Sequence, residues 1–372
     1  MEFSVKKSDL LEELTVAQGV VEKKTTIPIL ANVLIEAAAN QVALTATDLE
    51  LCLRTHCPAK VRRAGAVTVP AKKLLELIRL LPDEEIQFKG QESTWVQVLC
   101  DRKSYRLVGL AKENFPALPD QPPSLARIPA RMLADLVAKT AFAISNEETR
   151  YTLGGALLIL RPDGAVAVAT DGHRLALVEA DHTFTQPALR EEVRTLIPRK
   201  ALVEMQRLAV QEEDAEVELA RDASHVFLRF PSGRLLASRL LTGQFPNYEA
   251  VLPRENNRIL TIDRDELANA LRRAAQLADP RSQAVKFSLR PGALEISASS
   301  PEYGEANEVI ELDYAGDALT MGFNVSYLLD FLGAAAAGPV RIELKDEQSA
   351  GQLRPLGEER YRYRYILMPM RI

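Results

Sequence analysis

The chain has 372 residues, well beyond the about 100–150 of an ordinary domain, so two or three domains are expected. Hydrophobic residues make up 47% and charged residues 26%, which excludes a disordered or collagen-like chain. Lys and Arg number 46 against 51 Asp and Glu, a net charge of −5; this excludes a DNA reader built on a strong overall basic excess but leaves room for one local basic surface. The longest apolar stretches, residues 154–160 and 332–340, fall far short of the ~20 residues of a membrane span. The start, Met1-Glu2-Phe3-Ser4-Val5-Lys6-Lys7, lacks the basic-then-apolar layout of a signal peptide. No membrane partner and a cytoplasmic location are expected. Cys52, Cys57 and Cys100 make no CxxC pair or disulfide framework and read as buried thiols.

In chain order, a helix is expected over 8–21, capped by Ser8 or Asp9, then strands at 34–36 and 42–47. A second helix spans 71–81 after Pro70, with Leu74, Leu75, Ile78 and Leu81 on one face. A strand at 106–110 follows. Pro116, Pro119, Pro122 and Pro123 break regular structure and mark a joint. Helices at 131–144 and 199–210 and strands at 226–230 and 235–240 come next. A polar joint at 253–258 precedes helices at 265–278 and 325–336. Both joints are short, which suggests domains held in fixed relation.

The chain repeats itself. Val42-Ala43-Leu44-Thr45-Ala46-Thr47-Asp48 is echoed by Val166-Ala167-Val168-Ala169-Thr170-Asp171. Val69-Pro70-Ala71-Lys72-Lys73-Leu74 is echoed by Ile197-Pro198-Arg199-Lys200-Ala201-Leu202, and Phe115-Pro116 by Phe245-Pro246. The spacings are 123, 128 and 130 residues. A fainter third copy opens at Ile262-Asp263 and carries Phe323-Asn324-Val325-Ser326 where the Pro-Ala-Lys-Lys helix stood. Each copy has two helices among many strands, an α+β packing of helices on antiparallel sheets. The expected domains are 1–124, 125–253 and 254–372. A domain of this size is roughly 35 Å across, from a radius of gyration of about 14 Å. Six in a ring leave a hole about one domain wide, against a duplex about 20 Å wide. Helices 71–81 and 199–210 each carry net +2 and 131–144 carries +1, while 8–21 carries −3.

With these motifs the whole chain resembles the bacterial sliding clamp, the beta subunit of the replicative DNA polymerase. The matching segments are Leu44-Thr45-Ala46-Thr47-Asp48-Leu49-Glu50, Val69-Pro70-Ala71-Lys72-Lys73, Ala169-Thr170-Asp171-Gly172-His173-Arg174-Leu175-Ala176, Phe245-Pro246-Asn247-Tyr248, Gly322-Phe323-Asn324-Val325-Ser326-Tyr327 and Met368-Pro369-Met370-Arg371. The resemblance implies three tandem clamp domains that dimerise into a closed ring. It also implies a processivity factor that is not itself an enzyme and needs no cofactor. Its partners would be double-stranded DNA, held topologically and without sequence preference, a second copy, and the polymerase catalytic subunit. A separate ATP-dependent clamp loader, and other polymerases and repair proteins bringing short peptide motifs, complete the set, at the nucleoid. A mild basic lining suits a protein that must slide, because each phosphate contact resists motion.

The resemblance assigns residues. Lys24, Lys72, Tyr151, Arg199 and Lys200 would face DNA; Thr152 and Glu147 replace a family aromatic and amide beside them. Thr170, Gly172, His173, Arg174 and Leu175 would line a peptide groove with Leu153, Pro246, Val251 and Ile366. Met368, Pro369, Met370 and Arg371 would complete it, and Asn324 and Tyr327 would flank a second subsite. Ala250, Gln348 and Ala350 stand where well-known clamps carry a basic, an aliphatic and a small hydroxyl residue. Gly172 would let a partner's backbone approach.

The residues alone also allow other readings. Asp171 and His173 invite acid–base chemistry, but no nucleophile is placed beside them and Thr47-Asp48-Leu49 repeats the motif without the His. A plain turn is the other reading. No Walker, HExxH or Rossmann fingerprint is present. His56, His173, His182 and His225 are scattered, so no metal site is expected. Arg102, Lys103 and Arg106, with Tyr105 and Leu107, are placed on one strand. Glu302, Glu305 and Glu308 are placed on another, with Leu277 on a nearby helix. Opposite charge around an apolar centre makes these two edges the expected dimer interface. A peptide-docking scaffold that encircles nothing is the rival to the ring.

Overall fold

The computed structural model describes residues 1–22, 25–91, 94–184, 188–357 and 360–371. The first copy runs β1 (Glu2–Lys6), α1 (Lys7–Gln18), β2 (Asn32–Ala38), β3 (Gln41–Thr47), β4 (Leu51–Pro58), β5 (Lys60–Arg63), β6 (Gly65–Pro70), α2 (Ala71–Leu80), β7 (Glu85–Gly90), β8 (Trp95–Cys100) and β9 (Lys103–Val108). The second runs β10 (Ala126–Pro129), α3 (Ala130–Ala138), β11 (Gly155–Arg161), β12 (Gly164–Thr170), β13 (Arg174–Asp181), β14 (Val193–Pro198), α4 (Arg199–Gln211), β15 (Glu216–Arg221), β16 (His225–Arg229) and β17 (Leu235–Arg239). The third runs β18 (Arg258–Asp263), α5 (Arg264–Ala275), β19 (Ala284–Arg290), β20 (Ala293–Ser300), β21 (Gly304–Glu311), β22 (Leu319–Asn324), α6 (Val325–Ala334), β23 (Pro339–Leu344), β24 (Gly351–Pro355) and β25 (Tyr361–Leu367). Apart from β5, the three copies share one element order.

Two compact units emerge. One comprises residues 1–131 and 207–240, the other 132–206 and 241–372. In the first, a five-stranded sheet has the order β5-β1-β7-β8-β9, and an eight-stranded sheet has the order β10-β15-β16-β17-β4-β3-β2-β6. In the second unit the sheets are β14-β11-β12-β13-β25-β24-β23-β18 and β21-β20-β19-β22. All pairings are antiparallel. Each eight-stranded sheet therefore joins half-sheets of successive copies. The fourth strand of one copy pairs with the last strand of the next: β4 with β17 and β13 with β25. Their counterparts β21 and β9 are left as edges.

Burial follows the expected periods. On α2, Leu74, Leu75 and Ile78 are buried against α1, and α5 packs on α6. Some expected boundaries move. Helix α1 starts at Lys7 straight out of β1, with Lys6 extended and no side-chain cap, so Ser8 and Asp9 lie inside the first turn. The helix expected over 131–144 stops at Ala138. Thr140 leaves the helical region at φ −126° and turns its hydroxyl back to the Leu136 carbonyl at 2.7 Å; such back-bonding competes with helix continuation. Asp263 caps α5, accepting from the Asp265 and Glu266 amides at 2.9 and 3.1 Å. The helix ends at Ala275, so Leu277 follows it. The strand expected at 106–110 ends at Val108, because Leu110 turns away and bonds through N–H and carbonyl to the Thr68 hydroxyl.

All three cysteines are free and buried. Burial pushes the Cys52 and Cys57 thiols up to about 12. Among the described residues no helix is long and apolar enough to cross a membrane, and no cluster of His, Cys, Asp and Glu could hold a metal.

Candidate functional site

The site in the second unit is built on the turn between β12 and β13. Thr170 Oγ1 donates to the Arg174 carbonyl at 2.5 Å and accepts from the Gly172 amide at 3.0 Å. Asp171 Oδ1 accepts from the His173 and Arg174 amides at 2.9 and 3.1 Å. The Asp171 carboxylate thus ties a tight turn, as Asp side chains do, and the Asp-Gly-His stretch needs no catalytic explanation. Gly172 sits at φ +91°, in the region that disfavours a Cβ. The turn by itself favours glycine there, whatever approaches from outside.

Below the turn lies an apolar floor. Leu175 pairs with Ile366 across β13 and β25. Both belong to a buried cluster with Leu153, Leu177, Phe245 and Tyr248. Above this floor is a groove of about 160 Å³ lined by Leu153, Thr170, Gly172, His173, Arg174, Leu175, Pro246, Asn247, Tyr248, Val251, Ile366 and Met368. The chain brings these segments together by pairing the tail with the turn, since the Met368 amide donates to the His173 carbonyl at 2.9 Å. Val251 and Met368 are half exposed, leaving apolar surface open at the groove's lip. Asn247 and Tyr248 were not named individually, but they lie in the 246–251 segment expected to form the slot.

Arg174 is 8% exposed and holds the turn from behind. Its guanidinium donates to Asp171 at 3.1 Å, to Asp330 at 2.6 Å and to the Phe142 carbonyl at 2.6 Å. It lies over the Tyr327 ring at 4.2 Å. Charge-assisted bonds and a stacked ring fix its plane.

Other expected groove residues fall elsewhere. Asn324 caps α6 by accepting from the Tyr327 amide, and the Tyr327 ring underlies Arg174. Pro369, Met370 and Arg371 line a neighbouring hollow with Met321, Gly322 and Gln348, where the Met370 amide donates to the Gly322 carbonyl at 2.8 Å. Ala350 packs against the groove's cluster, and Ala250 is exposed.

Of the residues expected to face DNA, Lys24 lies outside the described residues. In the first unit, Lys72 is on α2 with its side chain 76% exposed, 4.0 Å from Glu76. In the second unit, Tyr151 is 77% exposed. Arg199 opens α4 and donates to Asn146, and Lys200 beside it is exposed.

The expected dimer residues lie on or beside edge strands. Lys103, Tyr105, Arg106 and Leu107 are on β9. Arg102 sits in the turn before it, because the β8–β9 pairing closes at Cys100 and Lys103. Alternation splits the set. Arg106 pairs opposite Gln97 on the solvated face and covers the Trp95 ring at 4.8 Å. Tyr105 and Leu107 lie opposite the buried Val98 and Val96. Glu305 and Glu308 are on β21, while Glu302 is in the preceding turn. Glu308 is bound by its own Arg273 at 2.7 and 2.8 Å.

Comparison with known proteins follows this geometry. The family models for the N-terminal, central and C-terminal domains of the DNA polymerase III beta subunit match residues 1–119, 127–247 and 249–371. The beta sliding clamp of Pseudomonas putida is 35% identical over 378 residues, with both chains fully covered. That of Caulobacter vibrioides is 35% identical over 384 residues, again with full coverage. The crystal structure of the DNA polymerase III subunit beta from Pseudomonas aeruginosa superposes with a TM-score of 0.94 at 35% identity and full coverage of both chains.

Proposed function

Because the chain belongs to the family of bacterial beta sliding clamps, the beta subunits of DNA polymerase III, we propose that two copies close head to tail into a ring around duplex DNA. The ring tethers the replicative polymerase in the cytoplasm, at the nucleoid. Its domains are 1–124, 125–253 and 254–372. The observation that carries the reading is the unfinished sheet pattern. At both junctions inside the chain, the fourth strand of one copy pairs with the last strand of the next. Among the described residues, β21 and β9 are the two strands left without that partner. A second copy supplies it at each end, and a heterologous contact that closes after two copies leaves neither of these two edges unpaired. Tyr105, Leu107 and Leu277 form the apolar centre of that contact. Arg102, Lys103 and Arg106 meet Glu302 and Glu305 at its rim.

In the ring, Lys72, Tyr151, Arg199 and Lys200 face the duplex and attract it weakly. The protein catalyses nothing itself and holds no cofactor. A separate ATP-driven loader opens it, and the polymerase, the loader and repair proteins dock short apolar peptides in the groove between Gly172 and Met368. Retention on nicked circular DNA tests the reading. The protein should stay bound through a high-salt wash and be lost when the circle is linearised. Equal loss from both forms would reject it.

A further inference from the structure

The first unit holds a second cleft at the place where the repeat puts the counterpart of the groove. The turn is reproduced bond for bond. Thr47 Oγ1 donates to the Leu51 carbonyl at 2.9 Å and accepts from the Leu49 amide at 3.0 Å. Asp48 Oδ1 accepts from the Glu50 and Leu51 amides at 2.9 and 2.6 Å. The Arg239 amide donates to the Glu50 carbonyl at 2.8 Å, as Met368 does to His173. Pro116 to Pro119 form the wall, as Pro246 to Tyr248 do in the groove.

Five exchanges change what fits. The floor pair Leu175 and Ile366 becomes Cys52 and Ala237, both much smaller, and the cleft measures about 460 Å³ against about 160 Å³. The larger figure lies in the ~300–1,000 Å³ range of ligand pockets. Met368 becomes Arg239 and His173 becomes Glu50. These two pair at 3.3 Å with side chains 57% and 64% exposed, so an incoming group can displace the pairing cheaply. Gly172 becomes Leu49, half exposed at the mouth on a backbone of φ +79°, which bulky residues rarely adopt.

We propose that this cleft docks an extended peptide through one Trp or Tyr side chain. The recessed floor of Cys52 and Ala237, with Leu118 packed beside it, takes the ring body. The Arg239 guanidinium lies against the ring face, and Glu50 accepts from the indole N–H or phenol O–H, the polar handle that such a ring carries. Leu49 closes over the ring edge. The proposal rests on the repeat and not on what docks in the groove of the second unit, so either can fail without the other.

The test uses the full chain with labelled Leu and Ala methyl groups and two probes, Ac-Ser-Gly-Trp-Gly-Ser-NH2 and its Ala-for-Trp counterpart. The Trp probe should cause saturable shifts of the Leu49, Leu118 and Ala237 methyls, with at least tenfold weaker binding of the Ala probe. Leu49→Asp should weaken the Trp probe at least tenfold. It stays folded, because the site is exposed and Asp tolerates a left-handed φ better than Leu. Ala237→Ile, which refills the floor, should act likewise, read at Leu49 and Leu118. A chain lacking 368–372 should bind the Trp probe like the parent. No saturable shift by about 10 mM, equal binding of the two probes, binding that survives both Leu49→Asp and Ala237→Ile, or loss on tail deletion would each overturn the proposal.

Discussion

Replacing Arg174 with Ala tests whether the groove depends on a buried cation held from several sides. The change strands the Phe142 carbonyl and the Oδ2 of Asp171, whose side chain is only 13% exposed. Each stranded buried group costs about 1–3 kcal/mol. Losing the stack on Tyr327 adds about 0.5–2 kcal/mol. Asp330, 44% exposed, is rehydrated and adds little. These terms sum to about 2.5–8 kcal/mol, and the usual cost of breaking a buried ion pair by removing one partner narrows this to about 3–5 kcal/mol. At about 2–4 °C per kcal/mol for a body of this size, the melting transition that includes the second unit should fall by roughly 6–20 °C in calorimetry. Arg174→Lys, with one compact charge in place of a planar fork, should recover less than half of this. The same Arg174→Ala variant should bind a polymerase-derived groove peptide at least tenfold more weakly, because the turn that forms the wall loosens. A variant that melts within about 2 °C of the parent would show that Arg174 does not hold the turn.

Further outcomes follow from the same structure. Deleting residues 368–372 removes the bonds of Met368 to His173 and Met370 to Gly322. Peptide affinity should drop about one to two decades per lost anchor, from roughly 1.5–3 kcal/mol of burial. Sedimentation should still give a dimer, and unchanged peptide affinity would dismiss the groove assignment. Arg106→Glu should weaken the dimer at least tenfold at moderate salt and alter the emission of Trp95, the single Trp; combining it with Glu305→Arg should restore much of the loss. A strictly monomeric parent at micromolar concentration would sink the interface. Lys72, Arg199 and Lys200 replaced together by Glu should impair loading and processive synthesis while leaving the melting curve unchanged, and unimpaired loading would count against these positions. With the Cys52 and Cys57 thiols raised to about 12 by burial, roughly 10⁻⁴ of each is thiolate at pH 8. A thiol-reactive disulfide dye should therefore label them slowly in the native protein and all three cysteines quickly in denaturant.

Much of this protein is local and was open to reading from residues alone. The threefold period, the amphipathic faces of α2 and α5, and the turn at Thr170-Asp171 depend on propensities within a few residues. The grouping of 170–175, 246–251 and 368 into one site came from the resemblance and not from any local propensity. Tertiary structure decided what depends on pairing over long distances. That β4 joins β17 and β13 joins β25 is a choice among many possible strand edges, and no period in the sequence encodes it. It splits the central copy between two sheets and leaves β21 and β9 as edges. Side-chain competition was equally hidden. Asn324 spends its oxygen on a helix cap, Tyr327 lies under Arg174, Thr140 ends a helix early, and Glu308 is taken by Arg273. Leu49 and Gly172 share one turn at almost the same φ, yet only packing around them sets a tight groove of Leu175 and Ile366 in one unit and a wide cleft over Cys52 and Ala237 in the other.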